Sequence, residues 1–240
     1  MEFQCKEFSL NHSKSSMKIG TDAIVLSSLA PDITPSKVLD IGTGCGIIAL
    51  CMAQKYPLSE ITAIDIDLNS IQEARNNFSK SKFNSRLIAK EIDLLLFSKD
   101  RIENFDLIIT NPPFFISSLE SPLQNRTKAR HTSSLTYDTL IQASQCLLSK
   151  EGLLCIILPN KESEIFIEKA ENSKFEVIKR INIYSKPNKE CERVVLYLKE
   201  QDNNIAQEKL SYCEDQIIIL RNNDNTYSQE YLDLVKSYLL

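Results

Sequence analysis

The chain has no tryptophan, only two histidines and only five glycines among its 240 residues. Two histidines leave little for a zinc site built on imidazole, and no metal is expected. No cysteine stands in a CxxC pair, and seven cysteines, an odd number, do not read as a disulfide framework. They fit thiols in a reducing compartment, used as small buried hydrophobes. No apolar run approaches the ~18 residues of a membrane span. The opening MEFQCKEFSL lacks a basic stretch followed by an apolar one, so no secretory signal is expected there. An excess of positive charge is missing too: the net charge is −4. That excludes a uniformly basic nucleic-acid coat but not a local basic patch. The expectation is a cytoplasmic protein with no membrane partner.

What is present is the composition of a folded domain, 42% apolar and 25% charged. Apolar runs at 38–41, 61–65, 86–89, 105–110 and 153–158 are nearly continuous, as in parallel strands covered on both faces. Helix-length amphipathic stretches at 46–55, 68–79 and 137–149 separate them. The alternation predicts an α/β sheet with helices on both faces. After residue 170 the rhythm changes. Residues 175–184 and 191–199 read as an antiparallel pair joined by a loop with Pro187 and Asn188. One more strand is expected at 216–220, and a last helix capped by Ser228 with Tyr231, Val235, Tyr238 and Leu239 on one face. Residues 200–215 carry no clear signal.

Three of the five glycines, Gly42, Gly44 and Gly46, fall in VLDIGTGCGIIAL, after a strand and at the start of a helix. Glycine there allows a tight turn and close approach of backbone to a ligand. A dinucleotide fingerprint wants GxGxxG, but its third glycine position is Ile47 here, and Asp40 stands two residues before Gly42. A carboxylate at the strand tip is a poor neighbour for pyrophosphate and a good one for a cation. S-adenosylmethionine carries a sulfonium and an ammonium group and no phosphate. Asp65 ends the second strand, 23 residues after Gly42, where it can accept from two ribose hydroxyls. Asp67 is its rival, better placed to cap the following helix. Asp93, after the third strand, can accept from an adenine amino group, with the backbone of Leu94 reading the ring edge. It can equally be a solvated loop residue.

The apolar strand FDLIIT runs into Asn111-Pro112-Pro113-Phe114-Phe115. Two prolines end the strand, fix two φ angles and remove two donors. The backbone then offers carbonyl acceptors, and the Asn111 side-chain oxygen adds another. Rigid acceptors beside an aromatic ring suit a planar amine: two N–H groups held and one face stacked. The element lies at the carboxyl edge, beside the proposed cofactor strand, where such sheets bind ligands.

DIGTGCG followed by NPPF resembles the class I S-adenosylmethionine-dependent methyltransferases that act on nitrogen. MKIGTDA at 17–23, NPPFF at 111–115, RTKARHTSSL at 126–135, ILP at 157–159 and ERVVLYL at 192–198 resemble more narrowly the tRNA1(Val) (adenine(37)-N6)-methyltransferase family. So does the closing YSQEYLDLVKSYLL. The resemblance covers nearly the whole chain. It implies a Rossmann-like fold of seven strands, mostly parallel with the last antiparallel, in one domain. Residues 38–200 would be its core, 1–37 a segment covering the cofactor, and 201–240 an extension with a terminal helix. It further implies that Lys18, Gly20, Thr21 and Asp22 close over the cofactor and that Gly42, Gly44 and Gly46 wrap its methionine end. Asp65 would hold the ribose and Asp93 the adenine. Asn111 and the Pro112 carbonyl would hold the target amine, with Phe114 stacked on the base. Such enzymes often carry Tyr after NPP; Phe keeps the stacking and loses the hydroxyl.

A tRNA substrate needs phosphate contacts. Residues 121–131 hold Arg126, Lys128, Arg130 and His131 and no acid; 179–193 hold five basic and two acidic residues. The first stretch follows NPPFF directly and is the expected RNA contact; a monomer is expected to suffice. The site chemistry also suits a glutamine amide of release factors or the guanine amine of ribosomal RNA. Release-factor enzymes carry an N-terminal helical domain, and the 37 residues before the first predicted strand are too few for one. An NAD-dependent oxidoreductase is disfavoured by Asp40, Ile47 and NPPF. A catalytically silent RNA-binding module is disfavoured by the intact Asp40, Asp65 and Asn111 set.

Overall fold

A computed structural model describes residues 2–13, 15, 19–99, 104–113, 135–201 and 216–239. Its frame is an eight-stranded sheet. The strands β3 (Lys37–Ile41), β4 (Glu60–Asp65), β5 (Leu87–Glu91), β6 (Phe105–Thr110) and β7 (Leu148–Pro159) run parallel. Next come β8 (Phe175–Tyr184), β9 (Cys191–Glu200) and β10 (Gln216–Ile219). The spatial order is β10-β8-β9-β7-β6-β3-β4-β5, and β9 alone runs against its neighbours. The antiparallel hairpin read from residues 175–199 is therefore present. The expected count of seven strands is corrected to eight, because β10 adds a parallel strand beside β8. A separate antiparallel pair, β1 (Glu2–Gln4) and β2 (Ser9–Asn11), precedes the sheet.

Two apolar cores sandwich the sheet. On one face lie α1 (Thr21–Ser28), α2 (Ile47–Lys55), α3 (Leu68–Lys80) and α7 (Gln229–Val235). On the other lie α4 (Leu94–Lys99), α5 (Tyr137–Leu147) and α6 (Asn160–Asn172). Strand alternation divides the residues between them: Val38 faces the first core, Leu39 and Ile41 the second. Helix α2 is apolar on all sides, with seven of its residues buried, because α1 covers its outer surface. Helices α1, α4 and α6 were not expected from the sequence. The helix expected over 137–149 ends at Leu147, and Leu148 opens β7.

Strand order reverses between β3 and β6. Chain that leaves β3 goes outward through β4 and β5; chain that leaves β6 goes the other way through β7. The loops at the carboxyl ends of these two strands diverge and leave a crevice, which is where open parallel sheets bind ligands.

Candidate active site at the strand switch point

Register brings the site residues to one edge. Asp40 pairs with Ile109, and Ile41 with Thr110. The Thr110 hydroxyl donates to the Ile41 carbonyl at 2.9 Å, tying the two strand ends together. Gly42 and Asn111 follow directly, one on each side of the crevice. Asp65 ends β4 next to them, and Asp93 lies two residues beyond the end of β5.

The turn after β3 needs its glycines. Gly42, Gly44 and Gly46 all have positive φ, at 71°, 55° and 87°. A Cβ on Gly46 would stand 2.5 Å from Phe78 Cε1 of α3, so helix packing also forbids a side chain there. A Cβ on Gly42 or Gly44 would meet nothing within 4 Å, and that side of the turn is open for a ligand's approach. The Gly42 and Thr43 amides donate to the Ile64 carbonyl, and the Gly44 amide to Asp65 Oδ2 at 2.9 Å.

Asp40 has no exposed surface. Its Oδ2 accepts from Thr43 Oγ1 at 2.6 Å and from the Ala49 amide at 3.1 Å; its Oδ1 has no partner. Burial pushes its carboxyl up to about 7, and the Asp65 carboxylate adds to the rise, against those two hydrogen bonds. Across the crevice, the Asn111 Oδ1 is likewise buried without a partner. Buried polar atoms are nearly always satisfied; Asp40 Oδ1 and Asn111 Oδ1, at the neighbouring ends of β3 and β6, are two of five buried side-chain atoms without a partner among the described residues, and both could take a donor or cation. The residues present therefore fit a cationic, donor-bearing cofactor. Burial also raises the Asp65 carboxyl, and Asp65 Oδ1 accepts from the Asp67 amide at 2.9 Å.

Asp67 caps α3 as expected, accepting from the Ser70 amide at 2.9 Å and hydroxyl at 2.7 Å. Asp93 is a cap too: its Oδ1 receives the Leu95 and Leu96 amides at the start of α4, where the sequence left open an adenine contact or a solvated loop residue. Leu94 is buried in the first turn of that helix. Gly20 caps α1 with extended backbone, Thr21 opens the helix, and Asp22 pairs with Arg193 of β9 at 2.9 Å. Pro112 is buried. Lys18, Phe114, Arg126, Lys128, Arg130 and His131 lie outside the described residues. Sequence reasoning missed Thr43, which braces Asp40. It also missed Glu73 and Asn77, whose only signal is that they interrupt the apolar stripe of α3. No group of three metal-ligating side chains occurs among the described residues.

The sequence profile of the methyltransferase small domain matches residues 9–185. The chain belongs to this family. Within it, the chain joins a group of curated relatives that share one name, tRNA1(Val) (adenine(37)-N6)-methyltransferase. The relative from Proteus mirabilis is 36% identical over 83% of this chain and 79% of its own length. That from Flavobacterium psychrophilum is 34% identical over 87% and 89%. Among solved structures, a predicted O-methyltransferase from Agrobacterium tumefaciens superposes with a TM-score of 0.67 at 18% identity, covering 90% of this chain and 96% of that one. A glycopeptide N-methyltransferase complexed with S-adenosylmethionine gives 0.57 at 12% identity, covering 79% and 98%. These two carry the fold alone. Family membership agrees with the sheet order, the antiparallel β9 and the glycine turn at the switch point.

Proposed function

We propose that this chain transfers a methyl group from S-adenosylmethionine to the N6 amine of adenosine 37 in tRNA1(Val). The observation that supports this reading is the pair of unpartnered buried oxygens, Asp40 Oδ1 and Asn111 Oδ1, at the neighbouring ends of β3 and β6 where the strand order reverses. One suits a cation and the other an N–H donor. The family's curated relatives supply the substrate. Bound at the glycine turn, the donor supplies an electrophilic methyl group on a positively charged sulfur.

Asp40 would balance that positive charge, and Asp65 would accept from a ribose. An adenine amine is a weak nucleophile because its lone pair is delocalised into the ring. Asn111 Oδ1 accepts one of its N–H groups and the Pro112 carbonyl the other. Held by both protons, the nitrogen turns pyramidal, with its lone pair free to aim at the methyl carbon. The contribution is positioning and electrostatics. With the methyl group passed from the donor's sulfur to the amine, the nitrogen would become cationic and would lose one proton to water, while Asn111 Oδ1 and the Pro112 carbonyl hold its N–H groups. No strong base is required. Phe114 stacks on the base, and Arg126, Lys128, Arg130 and His131 take the tRNA backbone. Lys18, Gly20, Thr21 and Asp22 cover the donor, while Asp93 and the Leu94 amide meet its adenine. Cytoplasmic tRNA meets the enzyme as a monomer.

The test is methyl transfer in vitro to three acceptors: tRNA1(Val) transcripts with A or G at position 37, a release factor, and ribosomal RNA. Nucleoside mass spectrometry should find N6-methyladenosine only in the A37 transcript. Methyl groups on glutamine or on guanine instead would refute the assignment.

A further inference from the structure

Helix α3 carries two polar side chains that the chemistry above does not use. Glu73 is 4% exposed and Asn77 1%, one helical turn apart. They share the buried side of α3 with Ile71, Ala74 and Phe78. A carboxylate and an amide so buried are costly unless hydrogen-bonded. Both are directed at the N-terminal segment. Glu73 Oε1 accepts from the Ser13 amide at 2.8 Å, and Oε2 from the Ser15 amide at 2.7 Å. Asn77 pairs with the backbone of Asn11 much as a neighbouring strand would, accepting from its N–H at 2.9 Å and donating to its carbonyl at 2.8 Å.

The same Asn77 Nδ2 donates to the Cys45 carbonyl at 2.8 Å, inside the glycine turn. The peptide between Cys45 and Gly46 is thus gripped at both ends, its carbonyl by Asn77 and its N–H by the Thr43 carbonyl at 2.9 Å. A turn with three glycines has wide conformational freedom, so its shape depends on such external holds. We propose that Asn77 and Glu73 are positioning residues of the donor site: they clasp Asn11, Ser13 and Ser15 to α3 and, through Cys45, set the shape of the glycine turn. The proposal rests on the reading of that turn as the donor site. Donor binding and the N-terminal clasp then stabilise each other, because coupling between two sites is reciprocal.

The test uses the full chain and S-adenosylhomocysteine, the demethylated donor, as an inert probe. In the wild type, bound probe should slow amide exchange at Asn11, Ser13 and Ser15. In Glu73→Gln and Asn77→Ala, the probe's Kd and the KM for the donor should rise about five- to tenfold, a coupling of ordinary size. The KM for tRNA, and kcat at saturating donor, should stay within about twofold. A merely structural role would lower Tm and leave the Kd of the folded protein unmoved, and that result would overturn the proposal. If Asn77→Ala does not fold, Glu73→Gln decides, since it keeps size and burial. A wild type that fails to bind the probe overturns the donor-site reading itself; a binding wild type with unmoved variants overturns only the clasp.

Discussion

At the scale of single residues, the proposed site rests on two oxygens left without partners. Asp40 is the one whose charge can change. Its carboxyl stands at about 7, against an ordinary 3.8, because burial disfavours the anion. A cation opposite Oδ1 favours the anion, so donor affinity should climb with pH by about tenfold per unit below 7 and level off above it. The stability of the free protein should move the other way. Between 3.8 and about 7 the folded chain holds a proton that the unfolded chain has lost. The stability present below 3.8 is therefore drained as pH rises to about 7. Asp40→Asn should flatten both curves and weaken donor binding throughout; calorimetric titrations and urea melts across this range check it. Asn111 carries the oxygen proposed to hold the substrate amine. Asn111→Ala should bind donor normally and lose about a hundredfold or more in kcat, as when one preorganised transition-state contact is removed. Equal turnover in variant and wild type would remove Asn111 from the chemistry.

Among the elements, α3 decides the shape of the glycine turn. Phe78 packs under Gly46 so closely that Gly46→Ala meets both a clash at 2.5 Å and a positive φ of 87°. The variant should lose about 1–3 kcal/mol and most of its donor affinity. Trimming the ring in Gly46→Ala/Phe78→Leu should restore part of the stability, because the clash goes and the φ cost stays. Thermal melts of both variants measure the split. The strands around this helix were readable because a doubly covered parallel strand is nearly continuous in apolar residues, and β3, β4 and β6 are so apart from Thr62 and the residues near their ends. The tips of those strands were readable for the same reason: Asp40, Asp65 and Asn111 break apolar runs where polarity needs a cause. Helix α1 was missed because five of its eight residues are buried, leaving no polar stripe to reveal a helical period. Helix α4 was missed because six residues with two exposed leucines, Leu95 and Leu96, give no usable period. With α4 unseen, the cap formed by Asp93 could not be foreseen. Glu73 and Asn77 escaped notice because a polar residue on a helix ordinarily faces water, and only the N-terminal segment packed over α3 reverses that.

At the scale of the molecule, the two ends of the chain meet on the core that supports the site. The Lys6 amide donates to the Tyr238 carbonyl at 2.9 Å, and the Lys6 ammonium to the Lys236 carbonyl at 2.6 Å. Gln54 of α2 donates to the Ser237 carbonyl at 2.7 Å. Tyr238 is 3% exposed, in the same core as α1 and α2, although α7 itself ends at Val235. Its hydroxyl lies 3.4 Å from the Ser27 and Cys51 carbonyls, too long for strong hydrogen bonds. The ring's burial, rather than its hydroxyl, therefore carries the contribution. Tyr238→Ala should cost about 3–5 kcal/mol by opening a cavity. That is a large part of the ~5–15 kcal/mol that holds a domain folded. Tyr238→Phe should cost under ~1 kcal/mol. Denaturant melts give both values. Because Tyr238 touches the helices behind the glycine turn and not the crevice, kcat of the folded Tyr238→Ala fraction, assayed well below its melting temperature, should match the wild type. A kcat that falls with Tyr238→Phe would instead tie the hydroxyl to the chemistry and remove the separation between core and site.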